Sequence, residues 1–185
     1  DILENQNIEY DNILYVDADA MVRWDAPNFF DMSDGKLGVV QDLGNFEWVY
    51  NGIKGYKQFF PNTDVEWDKY FCTGFLLMNK NHRQFFQDII SFYFKHQDDL
   101  RILQYQTLKK GFDQTPVNYL AKLHNIDLQY LSLKCSLGSL HQKFILNNGM
   151  FIDMGDVWQF NGIPKEDTKK IMEQVWNQTK ENYSE

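Results

Sequence analysis

No apolar run in the sequence approaches the roughly 18 residues that a membrane span needs, so no transmembrane helix is predicted. Cysteine is nearly absent. Cys72 and Cys135 have no CxxC spacing and do not suggest a secreted disulfide framework, so free thiols in a reducing, cytoplasmic setting are expected. Glycine and proline are sparse at 11 and 4, with no repeat or low-complexity tract, which excludes collagen-like and disordered classes. Positive charge is in deficit, with 18 Lys and Arg against 26 Asp and Glu and a formal charge of −8. That balance argues against nucleic acid as a partner, because any anionic ligand has to be held locally. Among the four histidines, His82, His96, His124 and His141 show no metal-ligand spacing, and His124 is expected as a semi-buried residue on a helix face. The start Asp1-Ile2-Leu3-Glu4 carries neither an initiator Met nor a signal-peptide layout.

What remains is a globular chain of 185 residues, 43% hydrophobic and of one composition throughout, which predicts a single domain over 1–185 with its own core. Aromatics reach 16%, enough for some rings to line a cleft as well as fill the core. Ile13-Leu14-Tyr15-Val16 reads as a buried strand whose C-terminal end delivers Asp17-Ala18-Asp19 to a surface. Leu37 to Val40 and Phe75 to Met78 read as central strands, and Leu128 to Leu133, Phe151-Ile152 and Val157 to Phe160 as further strand candidates. Phe85, Phe86, Ile89, Ile90 and Tyr93 predict an amphipathic helix with Asn81 as its N-cap, and Thr115-Pro116 starts another. Asn161-Gly162 predicts a turn. Residues 166–185 predict a closing helix with its apolar face at Ile171, Met172, Val175 and Trp176, and a polar tail that frays from Lys180 to Glu185. The ring-rich stretch from Asn45 to Tyr70 has little period and reads as a long, functional loop. The expected class is α/β, a mixed sheet flanked by helices.

Two acids one residue apart at a strand end can reach one hard cation through oxygen. Alone this spacing is a weak signal, since strand-end turns often carry solvated or capping aspartates. The apolar residues on both sides, Ile13 to Val16 and Ala20-Met21-Val22, bury the backbone around the pair and favour a charge partner.

Ile13 to Asp19 resembles the DxD strand of GT-A glycosyltransferases, in particular the retaining family 8 type that includes galactosyltransferases and glycogenin. Tyr70 to Asn79 is similar to that family's Asn-Ala-Gly strand, with Cys72-Thr73 in place of Asn-Ala before Gly74. Phe112 to Asn118 resembles its Asp-Gln-x-x-x-Asn segment, and Gln159 to Lys165 has the spacing of its late His-x-x-Gly-x-x-Lys motif, with Gln159 in the histidine position. The resemblance implies a GT-A-like, Rossmann-like fold and metal-dependent transfer of a hexose from a nucleotide diphosphate sugar, a UDP-sugar by expectation, to the hydroxyl of a glycan or other acceptor. It implies Mn²⁺ or Mg²⁺ held by Asp17, Asp19 and Gln159, and a donor site formed by Asp17, Ala18, Asp19, Thr73, Gly74, Gly162 and Lys165. Asp113 and Gln114 would lie by the sugar as the catalytic pair. It also implies that two βα units of at least ~30 residues each, the nucleotide-binding half, belong before Ile13. The chain is thus expected to be a C-terminal part of such an enzyme, with an apolar sheet edge at Ile13 that a second copy could cover.

The chemistry suits these residue types. A departing diphosphate gains negative charge, which a divalent ion and the Lys165 ammonium would offset. No strong nucleophile is evident, which leaves a front-face retaining transfer open. Singly, Asp113 could cap the helix that follows, Gly74 could mark a bulge, and Lys165 could be a solvated lysine at a helix start. Two rival functions remain. Strand-Asp-x-Asp is also the nucleophile signature of haloacid-dehalogenase-type phosphatases, with Gly155-Asp156 imitating their later acid, although Met21 replaces the Thr or Val expected there. The other rival is a sugar-binding fragment without turnover. Asn177-Gln178-Thr179 and Asn182-Tyr183-Ser184 match the glycosylation triplet and stay bare in a cytosolic chain.

Overall fold

The computed structural model describes residues 6–109, 113–138, 140 and 142–183. Expectations placed on Asp1 to Glu4, Phe112, His141, Ser184 and Glu185 lie outside the described residues. The strands are β1 (Asn12–Val16), β2 (Ala20–Val22), β3 (Leu37–Gln41), β4 (Phe71–Asn79), β5 (Leu128–Tyr130) and β6 (Val157–Gln159). The helices are α1 (Phe46–Tyr56), α2 (Arg83–Lys95), α3 (Gln97–Ile102), α4 (Gln114–Leu123), α5 (Lys143–Asn147), α6 (Phe151–Met154) and α7 (Lys165–Thr179). A π-helical turn, Leu103–Leu108, continues α3.

The fold is mixed α/β. Four strands make one sheet in the order β1-β4-β3-β5, and β2 and β6 form a separate antiparallel ladder. Strand β4 runs antiparallel to both β1 and β3, so those two are parallel to each other, and β5 pairs parallel to β3. The C-terminal ends of β1, β3 and β5 therefore share one side of the sheet, where α/β folds gather ligands.

Alternation along the central strands explains the core. Val39 and Leu76 pack with the helices in one cluster that includes Phe92, Leu103 and Tyr119, whereas Val40 and Phe75 join Phe29, Cys135 and Val157 in another. A third cluster, with Trp158, Phe160 and Val175, lies between the β2–β6 ladder and α7. Rings supply much of the helix-side packing, as where Phe60 stacks on Tyr119 at 4.5 Å between centroids.

Several expectations change. Strand β1 is an edge strand, half-buried rather than buried, because it pairs only with β4; Tyr15 is 47% exposed. The stretch from Asn45 to Tyr70 is not a loop: Asn45 caps α1 by accepting from the Trp48 N–H at 2.8 Å, and Val49, Gly52 and Tyr56 give the helix a buried face. Phe151-Ile152 begins α6 and not a strand, and Phe151 packs edge-on against Trp158. The third apolar strand candidate shortens to Leu128–Tyr130. Asn81 is not the N-cap of α2: it lies inside a 3-10 turn, Lys80–His82, that Asn79 caps in a capping box with His82 and that leads into the helix. His124 follows α4, exposed, with Nδ1 3.6 Å from Asp88. Helix α7 begins at Lys165, and Lys180–Tyr183 does not fray: Tyr183 donates to the Val22 carbonyl at 2.8 Å and packs on Trp24 and Trp176. Cys72 and Cys135 are free, as expected, and both are buried.

Burial also sets a pH limit. His82 is buried, accepts the Asn79 N–H on Nδ1 at 3.0 Å, and has its pKa lowered by that burial. The unfolded chain takes up the proton near pH ~6.5, so the folded state binds fewer protons just below that pH. Stability is then full above it and falls as the pH drops through it towards the lower folded value. The expected outcome is that the fall in melting temperature from pH 7 to pH 5 is smaller in His82→Gln than in the parent, since the carboxylates titrate alike in both.

Candidate active site

Strand β4 departs from regular pairing where the site lies. Val39 faces Leu76, but the next residue, Val40, faces Cys72, so Thr73, Gly74 and Phe75 bulge from the β3 side. The freed N–H groups find other partners. Thr73 N–H donates to Gln114 Oε1 at 3.4 Å, and Gly74 N–H donates to Cys72 Sγ at 3.3 Å. Burial pushes the Cys72 thiol up to about 11, so the acceptor is the neutral sulfur.

The bulge links two groups of side chains. On one side, Thr73 Oγ1 donates to Asp113 Oδ2 at 2.8 Å, and Gln114 donates from Nε2 to Asp42 Oδ2 at 2.7 Å. Asp113 occupies the N-cap position of α4 yet makes no side-chain cap bond, so its carboxylate serves Thr73 and not the helix. Asn118 fixes α4 to β4, pairing with both the N–H and the C=O of Phe71 at 2.9 Å and donating to the Gln114 carbonyl.

On the other side, the Asp17-Ala18-Asp19 turn crosses from β1 to β2. Asp17 N–H donates to the Gly74 carbonyl at 3.0 Å, and the Asp19 carbonyl accepts from Phe160 N–H at 2.8 Å. The Asp17 carboxylate takes the Tyr15 hydroxyl on Oδ1 at 2.8 Å and the Gln159 amide on Oδ2 at 3.2 Å. The bond that the Tyr15 hydroxyl donates to Asp17 pushes the phenol up to about 12. Burial, and then the charge on Asp17, raise the Asp19 carboxyl above its ordinary value. Gln159 Oε1 meanwhile accepts from Ser136 Oγ at 2.9 Å and Cys72 Sγ at 3.6 Å. Gly162, at φ 74°, turns the chain after β6.

Gly162 and Asn161 border two clefts. One, of 870 Å³, is lined by Ala18, Asp19, Lys165, Lys169 and Trp176. The other, of 510 Å³, is lined by Asp42, Trp48, Gln114, Ser136 and Gln159. The structure thus brings Asp17, Ala18, Asp19, Thr73, Gly74, Asp113, Gln114, Gln159, Gly162 and Lys165 around one end of the sheet. Among the described residues no three His, Cys, Asp or Glu side chains form a group able to hold a metal ion, so a cation at Asp17 and Asp19 needs a further oxygen. Asp156, the third acid of the phosphatase pattern, sits instead at the far end of the β2–β6 ladder, with its carboxylate 3.4 Å from the Arg23 guanidinium.

Tyr15, Asp42, Cys72 and Ser136 belong to this network without having been singled out for it in the sequence. Asp42 carried a usable signal: it follows the apolar strand β3 as Asp17 follows β1, and parallel strands place both acids on the same side.

No protein-family model matches the chain, and no curated protein matches it. Among solved structures it is similar to the apo structure of WbbM, described as a bifunctional glycosyltransferase, at a TM-score of 0.50 and 14% identity over 94% of the chain. The chain spans about a third of that protein, 34% of its length. The likeness is one of fold, and the mixed sheet with its helices is glycosyltransferase-like to that extent.

Two substitutions test this construction. A Cβ on Gly74 would stand 2.6 Å from Asp17 Oδ2 and closer still to Gln159 Nε2. Gly74→Ala is expected to cost about 1–3 kcal/mol by overpacking and to shift the Gln159 side-chain amide signals in NMR spectra. Asn118→Ala strands the Phe71 backbone groups and should cost about 2–4 kcal/mol in urea denaturation.

Proposed function

We propose that the chain carries the catalytic face of a metal-dependent glycosyltransferase, moving a hexose from a nucleoside diphosphate sugar to an acceptor hydroxyl. The observation that carries this reading is the convergence of four separated segments, 17–19, 73–74, 113–114 and 159–165, at one end of the sheet, where Thr73 bonds Asp113, Gly74 bonds Asp17 and Gln159 bonds Asp17, beside two clefts that Gln114, Gln159, Asp19 and Lys165 line. The glycosyltransferase-like fold supports it.

The residues fit a divalent cation. Burial raises the Asp19 carboxyl and the charge on Asp17 raises it further, and a cation between the two acids would offset both. They would hold Mn²⁺ or Mg²⁺ with Gln159 as third donor once its amide turns over, since it presents Nε2 to Asp17 and engages Oε1 with Ser136 and Cys72; such an ion supplies charge neutralisation at the diphosphate. Lys165, in the same cleft as Asp19, offers a second positive charge to the leaving phosphates. Asp113 keeps Oδ1 for a sugar hydroxyl while Thr73 engages Oδ2. Gln114, held by Asp42 and Thr73, retains one N–H and one lone pair for the face of the sugar opposite the leaving group. Among the described residues no side chain stands out as an activated nucleophile, so retention would use the departing phosphate as the base for the acceptor proton. The phosphatase reading loses its third acid to Arg23.

Calorimetry of UDP with and without Mn²⁺ tests the reading. Binding should require the ion and should weaken by about tenfold or more in Asp19→Asn; equal affinity in both conditions would remove the metal. Imidazole is a better donor to Mn²⁺ than an amide oxygen, so Gln159→His should tighten Mn²⁺ binding. An unchanged affinity there would take Gln159 out of the metal site.

A further inference from the structure

The ring-rich segment from Asn45 to Tyr70 has no part in the chemistry above, yet it ends against the same clefts. Phe46 and Tyr50 lie one turn apart on α1 and stack at 6.0 Å and 21°, and Trp67 meets Phe46 edge-on at 5.2 Å. The three are 58%, 52% and 52% exposed. They hold one another's orientation while presenting ring surface to water, an arrangement that core packing does not explain.

This platform adjoins residues that line the 510 Å³ cleft. Phe46 follows Asn45, which lines it, and Gln41, also lining it, donates to the carbonyl of Asp68 beside Trp67. Across the cleft stand Gln114, Ser136, Gln159 and Asn161, with Trp48 among the lining residues. Among the described residues its one carboxylate, Asp42, is already engaged on both oxygens, by Gly44 N–H at 2.9 Å and by Gln114 at 2.7 Å. Among those residues no lysine, arginine or histidine lines it. The neighbouring 870 Å³ cleft, beyond Asn161-Gly162, carries Lys165 and Lys169. Charge therefore divides the two clefts: the lysine side complements an anion, and the amide side complements a neutral ligand rich in hydroxyls. Side-chain amides pair with hydroxyls, and exposed rings cover the C–H face of a pyranose.

We infer that the amide-lined cleft and the Phe46-Tyr50-Trp67 platform bind a neutral oligosaccharide, the acceptor of the transfer proposed above. The identity of this ligand as acceptor rests on that reading; the saccharide surface itself does not.

The test titrates the chain with neutral gluco-, galacto- and manno-hexasaccharides and an anionic oligogalacturonate, following tryptophan fluorescence, with UDP and Mn²⁺ titrated in the same preparations. At least one neutral hexasaccharide should bind more tightly than the oligogalacturonate. Trp67→Ala and Tyr50→Ala should each weaken that binding by about tenfold, while Trp67→Phe stays within about threefold. UDP–Mn²⁺ affinity should be unchanged in all three variants. Absence of neutral binding, preference for the anionic oligomer, or indifference to ring removal overturns the inference. If UDP fails to bind the parent chain with Mn²⁺ while ring-dependent saccharide binding persists, the transferase reading falls and the saccharide surface stands. Far-UV circular dichroism melts of each variant show whether loss of binding reflects loss of fold.

Discussion

Everything at the site depends on the break in pairing between β3 and β4. A regular ladder would use the Thr73 N–H for its own hydrogen bonds and leave Gln114 no backbone partner on the sheet, with Asn118 alone holding α4 to the Phe71 backbone. At the bulge the Thr73 N–H meets Gln114 from α4, and the Gly74 N–H meets the Cys72 sulfur two residues back on the same strand. Backbone donors near a sheet interior have to be satisfied, so the bulge recruits Gln114 and the Cys72 thiol. Gln114 in turn fixes Asp42, and Thr73 fixes Asp113. A local irregularity of one strand thereby organises residues spread from Asp17 to Gln159.

Much of the architecture was legible because apolar runs ending in acids or turns announce central strands. Leu37 to Val40 and Phe75 to Met78 fall inside β3 and β4, and Pro116 sits in the first turn of α4 as its sequence implies. The errors share one cause, tertiary context overriding local pattern. Helix α1 hides in sequence because Phe46, Tyr50 and Trp48 place rings on its exposed side as well as its buried one, which blurs the 3.6-residue period. Phe151-Ile152 has strand-like residues but too short a span to distinguish strand from helix by pattern, and contact with Trp158 accompanies the helical turn. The edge position of β1 depends on which strands pair, which composition does not encode.

For the site, the grouping of motifs was legible and the support beneath them was not. Asp17, Gly74, Asp113 and Gln159 could be picked from spacing, whereas Cys72 and Ser136 act through contacts between distant segments. Ser136 meets Gln159 across 23 residues and Cys72 meets it across 87. Only the fold supplies such partners. The same holds for Gly74, whose lack of a side chain has a steric meaning only once Asp17 and Gln159 are seen against it.

The Asp17-Ala18-Asp19 turn has a mechanical meaning beyond its charge. Its first acid is tied through its own N–H to Gly74 in the four-stranded sheet, and its last through its carbonyl to Phe160 beside the two-stranded ladder. The two carboxylates are thus mounted on different rigid parts, like the jaws of a caliper. Any tilt of the β2–β6 ladder, together with α7 packed on it, changes the gap between Asp17 and Asp19. Their spacing is a readout of how the two sheets sit against each other, and whatever grips both acids also locks the sheets.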